Sequence, residues 1–268
     1  MKQKLTIVKV GGAVVEDEAQ LTRLLADFTA ISGAKVLVHG GGRRATAVAA
    51  RLGIETKMVE GRRITDSDML SVVTMVYGGL VNKTVVARLQ ALGVNAIGLT
   101  GADAGIIRSE RRPPVSIGAD SPTLVDFGFV GDVRSVDDSM LARLIDAGMT
   151  PVIAPLTHDG QGQILNTNAD TMASETAKAL AGRYDVTLIY AFEKPGVLRN
   201  ADDDTSVIPV IDRQAFETYR ADGTISGGML PKIENALKAV DAGVTRVVIT
   251  SATAIDGEHG TVISKTTN

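Results

Sequence analysis

Cysteine is absent from the 268-residue chain, so neither a disulfide nor a thiolate metal site can form. The three histidines, His39, His158 and His259, lie far apart and lack the i, i+4 spacing of a metal-binding helix, which argues against a histidine-held metal. Positive charge is not in excess. The formal net charge is -3, no run of lysine or arginine offsets it, and a nucleic-acid partner is not expected. The basic pairs Arg43-Arg44, Arg62-Arg63 and Arg111-Arg112 are too short for such a track but long enough to meet a small anion. No apolar stretch approaches the ~20 residues that span a bilayer, and the N-terminus enters a strand pattern directly, unlike a signal peptide. The expected compartment is the cytoplasm, with no membrane partner. The P-loop sequence, GxxxxGK followed by Ser or Thr, is missing too.

What is present begins with the run from Lys4 to Val10, which is apolar, carries Lys9 near its end and breaks on Gly11 and Gly12. A strand thus delivers one cation beside backbone that a ligand can approach closely, as a phosphate requires. A second run, Lys35 to His39, ends in Gly40, Gly41 and Gly42, and turns at successive strand ends can face one crevice. His39, at a strand end, reads as a structural residue rather than an acid or base.

Apolar strands alternate with helical patterns along the chain, the signature of a mainly parallel sheet covered by helices on both faces. Helices are predicted at about 17–32, 43–52, 67–92, 137–147 and 170–181, with Gly78-Gly79 marking a kink or close packing in the third. Further strands are predicted at about 95–99, 150–154, 186–190, 246–250 and 261–264. From Thr100 to Val133 the pattern changes to short extended pieces, read as hairpins placed to cover a pocket. The fresh strand at Val186 divides the chain most naturally into lobes 1–181 and 182–268, to within about ten residues.

A third glycine-rich loop, Gly223 to Lys232, feeds a helix with Pro231 at its start. Lys232 stands in the first turn, where the helix dipole disfavours a cation, so it is read as recruited for an anionic ligand. Two lysines, three glycine turns and a carboxylate suit phosphoryl transfer, which depends on positioning and on neutralising charge.

The segments VKVGG at 8–12, HGGG at 39–42, GRRIT at 61–65, NTNAD at 166–170 and SGGMLPK at 226–232 together resemble the amino-acid kinase family, and within it the kinases of N-acylated glutamate. They occur in family order over essentially the whole chain. The resemblance implies a three-layer αβα sandwich, with 1–181 as the acylglutamate-binding lobe, 182–268 as the nucleotide-binding lobe, and ATP and Mg²⁺ as cofactors. It implies that Lys9 contacts the transferring phosphoryl group, that Lys232 stabilises the leaving side of ATP and that Asp170 orients both lysines. Gly11 and Gly12 would bind phosphate, and Gly41 and Gly42 would cradle phosphoryl and substrate oxygens. Arg63, Asn166 and Asn168 would hold the amino-acid portion of the substrate, and no residue is assigned to a metal. Asp170 could equally cap the helix that follows it.

The loop from Tyr190 to Gly196 departs from the family's commoner Thr or Ser and Asp there, which leaves the purine contacts open. Thr74 to Gly79 is expected near the acyl end, and its departures from small residues leave acetyl and succinyl both possible. A homodimer is implied as well. Arginine-inhibited relatives carry an additional N-terminal helix, so inhibition by arginine through that route is not expected. Gly40 to Ala45 also fits a dinucleotide-binding fingerprint, with Glu60 twenty residues beyond the first glycine, but that assignment leaves Lys9, Asp170 and Lys232 without a task. A sensor that had lost catalysis should lack one of those three residues.

Overall fold

The computed structural model describes residues 2–118 and 122–265. The chain opens with β1 (Lys4–Val10), α1 (Gly12–Glu16), α2 (Glu18–Ala30), β2 (Ala34–His39) and α3 (Gly42–Arg51). The turn expected after β1 is therefore already helical from Gly12. Asp17 caps α2 by accepting from Gln20 N–H, and the spacing of Leu21, Leu24, Leu25 and Phe28 buries one face of it. In β1 the side chains alternate. Leu5 and Ile7 enter one core cluster while Val8 and Val10 enter another, because successive strand residues point to opposite faces. By the same period Lys9 falls on the side of Leu5 and Ile7.

Eight strands form the main sheet, in the order Val210–Ile211, Thr261–Ile263, Arg246–Ser251, Asp185–Phe192, β1, β2, Thr150–Ile153 and Ala96–Leu99. From Arg246–Ser251 onward the strands run parallel, and the first two are reversed. β1 sits where the strand order turns, between β2 and Asp185–Phe192, and such a switch point opens a crevice at the C-terminal ends of the strands. Gly11, Gly40 and Phe192 all lie at those ends.

Two helices, α4 (Ser67–Val73) and α5 (Asn82–Ala91), are joined by a π-helical segment, Thr74–Val81. The expected irregularity at Gly78-Gly79 is this segment. By length and composition Ser67–Ala91 would suffice to cross a membrane, which corrects the expectation that no stretch comes near that length. Its Val72, Val76, Val85 and Leu89 are buried in the protein's own cores. α6 (Asp138–Asp146), α7 (Ala169–Leu180), α8 (Arg213–Ala221) and α9 (Met229–Asp241) send Leu141, Met172, Phe216 and Ile233 into the cluster that holds Leu5. α2 and α5 pack on the opposite face through Leu24 and Leu89, giving the three layers. α8 and the edge strand Val210–Ile211 had no counterpart in the sequence-based expectation.

A second sheet of four strands, Ile164–Asn166, Leu156–His158, Ile107–Arg111 and Gly131–Val136, supplies the covering hairpins. A bridge from Thr65 to Gly128 docks it on the GRRIT segment, and one from Val130 to Asn166 joins its own parts. A side chain at Gly128 would stand 2.3 Å from Thr65 O, at a φ of +72°, so only glycine fits that crossing.

Candidate active site

The two glycine turns meet backbone to backbone. Gly40 N–H donates to Val10 O at 3.0 Å, and a side chain on Gly12 would lie 3.3 Å from both Gly41 N and Gly42 N. Glu16 accepts from Arg44 N–H, which ties α1 to the start of α3. Among the described residues, Gly41 N–H and Gly42 N–H have no hydrogen-bond partner, so they stand as free donors where α3 begins. Beneath them His39 is wholly buried. Its Nδ1–H donates to Gly40 O at 2.8 Å, and Nε2 accepts from Asn82 Nδ2 at 3.1 Å. Burial pushes this imidazole down to about 4, the Gly40 carbonyl opposes the shift and Lys83 adds to it. The ring is neutral at pH 7.

Lys9 Nζ lies 2.7 Å from Asp170 Oδ1. The pair is close but not aligned as a hydrogen bond, so that oxygen is buried without a donor. The pairing follows from the sheet, since Lys9 shares the face of Leu5 on which α7 packs. Asn168 caps α7 by accepting from Asp170 N–H at 2.8 Å and Thr171 N–H at 3.1 Å. The capping alternative raised for Asp170 thus falls to Asn168, and the Asp170 carboxylate is left to Lys9. α9 begins at Met229 rather than Pro231, and Lys232 projects from its first turn. Its ammonium sits 3.8 Å from the centroid of the Phe192 ring, while Lys9 Nζ is 5.3 Å from the same ring. Burial lowers the Lys232 pKa, Asp170 opposes this, Lys9 adds to it and Glu193 opposes it.

Two cavities of about 460 Å³ each share Gly42 and Lys232 in their walls. The first is lined by Gly41, Arg63, Asn166, Asn168 and Asp170. The second is lined by Gly11, Gly12, Phe192, Glu193 and Lys194. Lys9 lines neither cavity but lies against Asp170 of the first wall and Phe192 of the second, so the site residues expected from the sequence gather around the two cavities. Arg63 Nη2 donates to Gly42 O at 2.8 Å and Thr46 Oγ1 at 3.0 Å. Neutral acceptors hold it, which leaves its charge available to an anion. Asn166 Nδ2 donates to Thr65 Oγ1 at 3.0 Å and pins NTNAD to GRRIT. Of the basic pairs, Arg62, Arg63 and Arg112 face the first cavity and Arg43 the second. Arg112 is already forked onto Asp132, with its closest contact at 2.6 Å.

Three residues of the site were not foreseen. Tyr77 packs under Gly41, its ring 3.0 Å from where a Gly41 side chain would begin, and burial raises its phenol pKa while Arg63 opposes the shift. Its signal was faint, a tyrosine in the segment assigned to the acyl end. Phe192 was signalled only as a departure from the family's text, and the buried Asn82 carried no signal at all. Among the described residues no three His, Cys, Asp or Glu side chains come together to hold a metal, and each cavity wall offers a single carboxylate. The described residues therefore do not fit a metal caged by side chains alone.

Lysines and free amides at one end of a parallel sheet can hold two anions face to face. The amino acid kinase family profile matches residues 4–251, and the chain belongs to that family. Acetylglutamate kinase from Bacteroides thetaiotaomicron is 64% identical over 265 residues, covering 99% of this chain and 100% of the relative. Its counterpart from Methanopyrus kandleri is 40% identical over 259 residues, covering 97% and 100%. Carbamate kinase from Giardia lamblia bound to AMP-PNP superposes with a TM-score of 0.66 at 17% identity, covering 99% of each chain, a likeness of fold. The expected αβα fold is borne out.

Proposed function

We propose that the chain transfers the γ-phosphoryl group of ATP to the γ-carboxylate of N-acetyl-L-glutamate, a step of arginine biosynthesis. The observation that carries this is the pair of cavities sharing Lys232 and Gly42. One presents Arg63 and two asparagines to an acylated amino acid, and the other presents glycine backbone and Lys232 to a polyphosphate. The 64% identity to an acetylglutamate kinase supports the same reading. In it, residues 1–181 bind the acylglutamate and residues 182–268 the nucleotide, with α9 reaching across to the acceptor cavity through Lys232 and Asn235.

The chemistry needs no general base, because the carboxylate is already ionised at pH 7. One carboxylate oxygen forms a bond to the γ-phosphorus, the bond to the β,γ-bridging oxygen breaks, and the electron pair leaves with ADP. The obstacle is repulsion between two anions. Lys9 and the amides of Gly12, Gly41 and Gly42 would neutralise the transferring group, Lys232 the leaving side, and Asp170 would hold Lys9 in place. Mg²⁺ bound on the phosphates supplies further neutralisation.

N-succinyl-L-glutamate is a second reading of the acceptor, favoured by Arg62 in the wall of the same cavity. Trapping the acyl phosphate with hydroxylamine, with each acylglutamate in turn, tests both. Hydroxamate is expected with ATP and at least one of them, and none with either overturns the function. A cytoplasmic homodimer belongs to the same proposal, and a solution mass of six chains would contradict it.

A further inference from the structure

The peptide unit joining Gly40 to Gly41 is trans, and in a planar trans peptide the C=O and N–H point in opposite directions. His39, wholly buried, holds the Gly40 carbonyl toward the core. The Gly41 N–H is thereby turned the other way, toward the cavity that Gly41 lines and away from any partner among the described residues. The imidazole is fixed in its turn. Asn82 Nδ2 donates to His39 Nε2 and, at 2.9 Å, to Val152 O, while Asn82 Oδ1 accepts from Lys83 Nζ at 3.1 Å.

The π segment brings Asn82 there. Asn82 N–H donates to Tyr77 O, five residues back. In an α-helix residues five apart lie about 140° apart around the axis, whereas the wider π winding closes that angle. Tyr77 can then support Gly41 from beneath while Asn82 reaches the ring that steers it.

We propose that His39 is a positioning residue for phosphoryl transfer: one hydrogen bond from its Nδ1–H sets the peptide plane that aims Gly41 N–H at the transferring group, and Asn82 fixes the tautomer. The assignment rests on the kinase reading above. In His39→Asn the side-chain amide nitrogen stands where Nδ1 stood, whereas in His39→Gln the amide oxygen stands where Nε2 stood and accepts from Asn82. Both variants lose the full imidazole and should lose similar stability, but only the asparagine keeps the donor to Gly40. His39→Asn is expected to stay within about fivefold of the unaltered kcat, and His39→Gln to fall roughly 10²-fold, with little change in either KM. Equal kcat values in the two folded variants overturn the proposal.

Two measurements on the unaltered protein need neither turnover nor a stable variant. The ¹⁵N spectrum of His39 should show the Nδ1–H tautomer, and the Nε2–H tautomer overturns the proposal. The Gly41 amide resonance should move on titration with inorganic phosphate, and a stationary Gly41 overturns it too. A protein that passes both tests yet makes no acyl phosphate sinks the kinase reading alone.

Discussion

Lys9 rises from the middle of an eight-stranded sheet, buried, with a carboxylate 2.7 Å away. Lys232 stands in the first turn of a helix, half-buried, with the face of Phe192 against its ammonium and no carboxylate within ion-pair distance among the described residues. The same charge is thus held in opposite ways. A strand and an ion pair fix the position of Lys9 before any ligand arrives. A cation–π contact, worth about 0.5–2 kcal/mol, attracts Lys232 without neutralising it, so an arriving phosphate can take it over at small cost. On the proposed reaction, one half of the cleft would be preset and the other recruited by the nucleotide.

The largest effects should come from the lysines themselves. Lys9→Ala and Lys232→Ala should each lower kcat by roughly 10³-fold, and if the contrast is right only Lys232→Ala also weakens ATP binding, which titration calorimetry reads. Equal ATP affinities in the two variants would break the comparison. Next comes the partner of Lys9. Asp170→Ala should cost about 3 kcal/mol in denaturant unfolding because it leaves a buried ammonium unpaired. Most of that cost should vanish in a Lys9→Ala background and persist in a Lys232→Ala background.

A smaller effect, roughly fivefold in kcat, is expected for Phe192→Leu, with Phe192→Tyr close to the unaltered enzyme. Here the pH profile sharpens the test. Burial already lowers the Lys232 pKa, so activity should decline on the alkaline side below the pH at which an exposed lysine titrates. Removing a ring that favours the cation should move that limb lower still, and an upward shift would contradict the assignment. The smallest effect on stability is expected for Asn168→Ala, which removes the cap of α7 at a cost of about 1 kcal/mol, apart from any rise in the acceptor KM. It should move thermal unfolding while leaving the coupling between Lys9 and Asp170 intact.

Much of this was legible beforehand because it is local. The apolar run of β1 and the glycine breaks after Val10 and His39 announce strands and turns without reference to the rest of the chain. Lys9, Asp170 and Lys232 were found through motifs, but the reason for their meeting was not in those motifs. It lies in parallel pairing between Lys4 and Asp185 and in α7 packing under the same face, contacts that no spacing encodes. α8 escaped because Phe216 is its one buried residue among the nine from Arg213 to Ala221, too few to show a period. Asn82 escaped because a π winding shifts which residues share a face, and an α-helical period misplaces it. Phe192 was visible only as a mismatch, which marks a position without explaining it.

β1, an interior strand of the sheet, is made long before one of its two neighbours, Asp185–Phe192. Until that late segment has been synthesised, β1 has an open edge and Lys9 lacks the aromatic ring beside it. Translation alone therefore withholds the complete cleft until most of the polypeptide exists. A pairing this distant also places the enzyme among slower folders, with the exposed β1 edge as its most vulnerable point while it waits.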